Sequence, residues 1–424
     1  MATASSDVSP TNNAPLNVAK VAVYTFLMDN KKRQGILLPL EDGLCAKASE
    51  IHEKMVRALG IPSDHGRAFA VWMTSPHLQL QLKDHHKPCV IKKKWKAMVA
   101  KFTKASVLEI ETDEPIVSFQ RNCFLPVDIE KDIANPTVIK LLYWEAATNV
   151  NQHRYPLTEE DFLELASTQS IVENGFHQPS TCRSDYSNFI MGRVQAYIPY
   201  QIRKSTWSMA ASAKMFGTKT KAQKLADKFV ERYRDKSETT GGDVHTLSWM
   251  KLYLKYCRQF DFYGSVFFKG QVQHPKSHKA VFVDRPDKDV YVGINPTHFH
   301  VIDAITNEIL VGVPLKDLSW DYKEASEESD HHFSSFFIDF DCEGETCSQG
   351  SHVQIFSRQA AMMDSMVYRC VNHLHPETFA ALRSACSAAE TASSDELRVP
   401  QPAPRRVHPI AILKKKMSLQ AFDL

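Results

Sequence analysis

The chain has 424 residues, 43% hydrophobic and 24% charged, with 15 Gly and 21 Pro. This composition supplies ample core and excludes collagen-like, wholly disordered and disulfide-stapled miniature proteins. Lys plus Arg number 51 against 49 Asp plus Glu, so any attraction to nucleic acid or acidic lipid must come from local patches.

The longest stretch without a charged residue, 68–82, contains Pro76, His77 and two glutamines, and is shorter than the roughly 18 apolar residues of a membrane span. The Ser/Thr/Asn/Pro-rich segment 1–17 lacks the features of a secretory signal and is expected to be disordered. Nine scattered cysteines read as reduced thiols of a cytosolic protein.

An apolar run at 21–27 and a second at 36–40, joined by a polar turn at 29–34, predict a β-hairpin. Leu44, Ala48, Ile51, Met55 and Leu59 then recur on one helical face, which Gly60 and Pro62 terminate. Short strands are predicted at 69–73, 78–82 and 116–119, with a basic amphipathic piece at 95–102. That order predicts a ubiquitin-like β-grasp lobe over 18–125. From residue 137 the period is helical, as in Val138, Leu141, Leu142 and Ala146. Thr158 with Asp161 three positions on marks another helix start. Further helices are expected at 185–197, 220–236 and 244–260, so 126–262 reads as a helical bundle.

After Gly264 the period returns to two in seven runs: 266–272, 290–294, 299–302, 309–313, 318–322, 336–340 and 353–356. A single closing helix carries Met363, Met366, Val367, Cys370, Val371 and Leu374 at helical spacing. Seven strands and one helix predict a PH/PTB-like β-sandwich with a C-terminal helix over 263–375. The remainder, 376–424, reads as a mostly disordered basic tail. The fold class is α+β, in three lobes.

Specific residues add a family to this order. The stretch Asp113-Glu114-Pro115-Ile116-Val117-Ser118-Phe119-Gln120-Arg121-Asn122-Cys123-Phe124-Leu125-Pro126 resembles the end of the first lobe of the FERM family, and Phe262-Tyr263-Gly264 resembles the start of its third. Trp72-Met73-Thr74-Ser75-Pro76, the run 262–270 and Leu318-Ser319-Trp320-Asp321 are similar to the family's iRhom-binding branch, over about 18–374. The resemblance implies a three-lobed FERM architecture and a non-enzymatic cytoplasmic adaptor, peripheral to the inner face of the plasma membrane. It implies as partners the cytoplasmic tails of membrane proteins. These are iRhom-type rhomboid pseudoproteases, stabilised together with their associated sheddase, and Wnt co-receptors. The Phe-x-Trp of ezrin-like members is missing, and an insert at 273–288 separates the first two strands of the third lobe. The ezrin-type lipid site is therefore not carried over.

The FERM plan also implies a peptide groove between the fifth strand of the third lobe and the closing helix. Its expected walls are Leu318, Ser319, Trp320, Asp321 and Tyr322 against Met363, Met366, Val367 and Cys370. Each of these helix residues has a core reading as well. Lys92, Lys93, Lys94, Trp95 and Lys96 lie in a stretch, 83–104, with eight lysines and one acid. They form a candidate patch for anionic phospholipids, or simply a solvated helix face. A phosphoinositide-binding membrane–cytoskeleton linker is the alternative function. The prolines and the mere fifty or so residues after Leu374 disfavour its actin-binding half.

Phosphate-loop, nucleophile-elbow and zinc-protease motifs are missing from the sequence, as is a nucleic-acid recognition motif. No catalytic residue, cofactor or metal site is assigned. His298 and His300 share one strand face, with His331, His332, Cys342 or Cys347 as weak further metal ligands. The acidic segment 324–345 reads as a solvated connection, and the basic, partly apolar end of the tail as a docking segment or as plain tail.

Overall fold

Alternation of inward and outward side chains builds the first lobe. β1 (Ala19–Tyr24) and β2 (Ile36–Leu40) pair antiparallel with Val21 opposite Leu38, which turns Val21, Val23, Leu38 and Leu40 inward together. This is a computed structural model, and it describes residues 19–26, 35–177, 183–204, 219–239, 245–273, 287–325, 333–340, 351–372, 374 and 376–387. The segment 1–17, the hairpin turn at 29–34, His331, His332, Cys342, Cys347 and the tail at 388–424 lie outside the described residues.

α1 (Ala48–Ala58) packs Ile51 and Met55 against β2 and β3 (Phe69–Thr74). β4 (Gln79–Gln81), α2 (Pro88–Phe102) and α3 (Val107–Thr112) follow, and β5 (Ile116–Arg121) returns through the middle of the sheet. The order is β2-β1-β5-β3-β4, with β1 parallel to β5 and the other pairs antiparallel. This is a β-grasp sheet.

The second lobe is helical: α4 (Val127–Glu130), α5 (Pro136–Asn151), α6 (Glu159–Asn174), α7 (Arg183–Tyr197), α8 (Tyr200–Arg203), α9 (Lys221–Thr239) and α10 (Thr246–Cys257). Its helix starts are written in the sequence. Asn135 Oδ1 accepts from the Thr137 and Val138 N–H groups, with Pro136 at the first helical position. Thr158 and Asp161 complete a capping box. α6 is the bundle's centre, packed by α9 and α10. Even Ser167, Thr168 and Ser170 are buried there, and Ser167 and Thr168 donate back to Glu164 O.

The third lobe comprises β6 (Val266–Val272), β7 (Lys288–Ile294), β8 (His298–Asp303), β9 (Ile309–Pro314), β10 (Leu318–Lys323), β11 (Ser335–Phe340) and β12 (Ser351–Phe356). They form one antiparallel sheet in the order β10-β11-β12-β6-β7-β8-β9. The strand predicted at 336–340 within the acidic segment is β11. α11 (Ala360–Asn372) closes the lobe by burying Met363, Met366, Val367 and Cys370.

The chain then departs from the expected single closing helix and disordered tail. A 3-10 turn (Pro376–Phe379) and α12 (Ala380–Ser387) fold back onto the first lobe and α4. Phe379, Leu382 and Cys386, spaced three and four apart, are buried there, and Arg383 reaches Asp128 at 3.5 Å. A short apolar stripe thus docks a segment whose composition alone reads as tail. Leu382→Ala should cost about 2–4 kcal/mol by leaving a cavity, whereas Arg383→Ala, which removes an exposed ion pair, should cost under about 1 kcal/mol. Urea unfolding of the two variants checks the order.

Candidate functional site

The three lobes meet where the chain passes between them. Arg121 is the last residue of β5, Glu130 ends α4, Arg258 follows α10, and Tyr263 precedes β6. Their side chains converge out of solvent. Arg121 Nε donates to Glu130 Oε2 at 2.6 Å, while Arg258 Nε and the Tyr263 hydroxyl donate to Glu130 Oε1 at 2.9 and 2.8 Å. Arg121 Nη2 also donates to Leu125 O at 2.7 Å, and its guanidinium lies over the Tyr263 ring. Burial opposes the ionisation of Glu130, but the Arg121 and Arg258 cations and the hydrogen bonds from Arg121 and Tyr263 hold its carboxyl below the usual range.

Gly264 is required beside this cluster for two reasons. Its φ is +71°, and a Cβ there would lie 2.6–3.0 Å from the Arg121 guanidinium. The Phe262-Tyr263-Gly264 motif thus packs against the last residue of the first lobe.

A cavity of about 700 Å³ opens beside the junction, with walls from all three lobes that include Trp72, Gln120, Glu145, Arg154, Phe268 and Arg358. Arg358 closes one side of it. Its Nη1 donates to the Ala100 and Thr103 carbonyls, both at 2.9 Å, so a cation sits at the negative end of α2. Phe333 packs between Arg358 and Lys104. Across the second and third lobes Asn307 Nδ2 donates to Tyr155 O at 2.9 Å, and Arg369 of α11 stacks on Phe124 of the first lobe at 4.1 Å.

The residues singled out from sequence are distributed differently from the expectation. Among the described residues β10 is an end strand of its sheet, pairing with β11 alone. Ser319 and Asp321 face solvent, Trp320 and Tyr322 are half-buried, and Leu318 is buried. Met363, Met366, Val367 and Cys370 do not line an open groove, because all four are at most 7% exposed and cover the sheet. Burial also pushes the Cys370 thiol up to about 12. Trp320 Nε1 instead donates to Asp364 Oδ1 at 3.1 Å. The part of α11 beside β10 is therefore the face bearing Asp364, with Tyr368 and Val371 four and seven positions on, both about half exposed.

Lys92, Lys93, Lys94 and Lys96 are exposed on α2, but Trp95 is not. It is 1% exposed and its Nε1 donates to Asp113 Oδ2 at 2.8 Å, so it belongs to the core rather than to a lipid-facing surface. Lys92 pairs with Glu114 and Lys96 with Glu111, which narrows the positive face. The His298 and His300 rings lie 5.8 Å apart, and His300 is buried against Phe262. Among the described residues no group of three His, Cys, Asp or Glu is placed to hold a metal ion. No helix among them is long and apolar enough to cross a membrane.

Sequence reasoning reached Arg121 and Tyr263 as motif members but missed Glu130 and Arg258. The signal for Glu130 was weak: it is one of several charged residues, with Asp128, Lys131 and Asp132, interspersed with the apolar Ile129 and Ile133.

Residues 128–268 match the FERM central domain, and residues 288–366 match the family described as KRIT1/FRMD8, FERM domain C-lobe. FERM domain-containing protein 8 of Mus musculus is 30% identical over 354 residues, covering 82% of this chain and 73% of the relative. The Homo sapiens protein of that name is 30% identical over 356 residues, with the same coverage. The chain belongs to the FERM domain-containing protein 8 family. FERM domain-containing protein B of Dictyostelium discoideum is a more distant relative, 26% identical over 198 residues, which cover 46% of this chain and 36% of that one.

Two solved structures share the fold. The human myosin 7b C-terminal MyTH4-FERM domain, in complex with the harmonin-a PDZ3 domain, is 13% identical with a TM-score of 0.52, covering 84% of this chain and 60% of that one. The Dictyostelium discoideum myosin VII MyTH4-FERM MF2 domain, mutant 1, is 12% identical with a TM-score of 0.54, covering 85% and 61%. The chain thus spans about three fifths of each of those myosin fragments. As a member of the FERM domain-containing protein 8 family, the protein is a FERM adaptor.

Glu145 on the cavity wall accepts the Arg121 backbone N–H at 2.7 Å. Burial raises its pKa from 4.5 to about 7, against the pull of that bond and of the Arg121 charge. A carboxyl with a raised folded pKa contributes stability below its unfolded value and loses it as pH rises through the folded one. Glu145→Gln should therefore gain on the wild type as pH rises from about 5 to 8. Urea midpoints across that range test it, and a constant difference would contradict it.

Proposed function

We propose that the protein is a cytoplasmic adaptor that holds the tails of membrane proteins at the inner face of the plasma membrane. Membership of the FERM domain-containing protein 8 family supports an iRhom-type rhomboid pseudoprotease tail as its ligand. Stabilisation of that protein and its associated sheddase is the consequence, and Wnt co-receptor tails are a second ligand class. The observation that carries the reading is the end strand β10, with one edge unpaired among the described residues. An extended tail segment adds to that edge through main-chain hydrogen bonds, and neighbouring side chains select its sequence.

The selecting wall in this proposal is Trp320 and Tyr322 of β10 with Asp364, Tyr368 and Val371 of α11. The buried Met363, Met366, Val367 and Cys370 act from behind by fixing the helix. The three-lobe cavity supplies a second concave surface for residues flanking the segment.

A double variant, Tyr368→Ala with Val371→Ser, changes only half-exposed helix positions. It should weaken binding of an iRhom cytoplasmic segment by about tenfold or more, corresponding to the loss of one aromatic contact. Titration of the full chain with labelled tail peptides measures this, and unchanged affinity would remove the β10–α11 face from the account. Exposed Lys92, Lys93, Lys94 and Lys96 favour the linker reading to the extent that they contact anionic lipid, each adding about 1 kcal/mol at most. In the same series, sedimentation with phosphoinositide vesicles at two ionic strengths separates the readings. Strong, salt-sensitive capture without tail binding would favour the linker.

A further inference from the structure

The described cysteines fall into two chemical groups. Cys123, Cys257, Cys370 and Cys386 are buried, and burial pushes the thiols of the first three well up, away from the thiolate form. Cys45 is exposed and Cys89 half-buried. These two accessible thiols are neighbours, although 44 positions separate them in the sequence.

Their proximity is built by the backbone. Cys45 ends a 3-10 turn (Gly43–Cys45) that packs against α2, and Cys89 is the second residue of α2, after Pro88. Two rungs fasten the segments: the Ala48 N–H donates to His86 O at 2.8 Å, and the Ser49 N–H donates to Asp84 O at 3.0 Å. Each thiol stands three residues from the first rung, Cys45 before Ala48 and Cys89 after His86. The turn is held in shape by Gly43 at φ +55° and by the Cys45 N–H donating to Asp42 O at 2.9 Å.

Cys45 is the neighbour that acts most on Cys89: it raises the Cys89 pKa, with burial behind it, while Lys93 and Lys87 pull the other way. The first turn of α2 and the two lysines supply positive potential beside Cys89.

We propose that Cys45 and Cys89 form a reversible disulfide, a redox-modification site on the first lobe. The oxidant is a disulfide of the glutathione class. The Cys45 thiolate, being exposed, attacks one sulfur of glutathione disulfide, which breaks that S–S bond, releases one glutathione thiolate and leaves a mixed disulfide on Cys45. The Cys89 thiolate then attacks the Cys45 sulfur and expels the second glutathione. The protein loses two electrons and two protons in all. One glutathione disulfide takes up both electrons and, through the two leaving thiolates, both protons. The bond needs the sulfurs to close to about 2.0 Å.

Its structural effect lies on α2. That helix is capped at its far end by Arg358 of the third lobe, so the oxidised chain holds it at both ends.

The experiment equilibrates the full chain in buffers of rising glutathione disulfide to glutathione ratio, alkylates remaining thiols and maps peptides by mass spectrometry. Alkylation of Cys45 and Cys89 should be lost together, with a linked peptide pair containing both. It should return when reduced glutathione is restored, while Cys123, Cys257, Cys370 and Cys386 stay protected throughout. Cys89→Ser should trap glutathione on Cys45. A persistent glutathione adduct on Cys45 of the wild-type chain, or both thiols remaining alkylatable at the most oxidising ratio, would overturn the proposal.

Discussion

Glu130 accepts hydrogen bonds from three stretches of chain that belong to three lobes, and the shape of the molecule depends on this convergence. A buried carboxylate between two guanidinium groups contributes little net stability compared with an apolar replacement, because desolvating the charges offsets much of their attraction. Its effect is to make one arrangement far better than its neighbours: a lobe that rotates leaves a charge or a hydroxyl unpaired away from water. Arg121 fixes the end of β5, Arg258 the end of α10 and Tyr263 the turn into β6, while Gly264 leaves room for the Arg121 guanidinium. Peripheral contacts then only need to refine the geometry. These are Arg358 on the end of α2, Asn307 on Tyr155, Arg369 on Phe124, and α12 strapped over the first lobe and α4.

A junction held by directed bonds rather than by a filled apolar seam leaves space, and the cavity lies there. The same economy of contacts leaves β10 at the end of its sheet among the described residues, tied to α11 by Trp320 and Asp364. The proposed tail site and the proposed thiol pair thus lie on different lobes. α2 runs from the thiol pair at its start to the third lobe at its end.

The lobes were legible in the sequence because each period has a direct physical origin. The seven alternating runs after Gly264 became seven strands, since one face of each is buried and a shift by one residue would expose the whole set. Thr158 and Asp161 formed their cap because that pairing is local. Side-chain destination was less legible. Trp95 sits among lysines, yet with Val99 four positions on it makes the inward stripe of α2, and helical spacing rather than nearest neighbours decides its burial. The methionines of α11 were offered as groove walls beside a core reading, and their burial takes the core side, as their regular spacing indicates. α3 was missed although Ser106 and Glu109 spell its capping box, and α12 was missed because three apolar residues were outweighed by tail-like composition. Glu130 had no readable partner: Arg258 lies 128 positions away, and no local pattern joins them.

The most direct measurement is hydrogen exchange with calorimetric unfolding of Glu130→Gln, which keeps the side chain's shape and removes its charge. Two buried guanidinium groups would then face a neutral amide. The account predicts a loss of about 3–5 kcal/mol and faster exchange on both sides of each lobe boundary, around residues 121–125 and 258–266. A variant with the wild-type transition and unchanged protection at those segments would show that the lobes are held by something else.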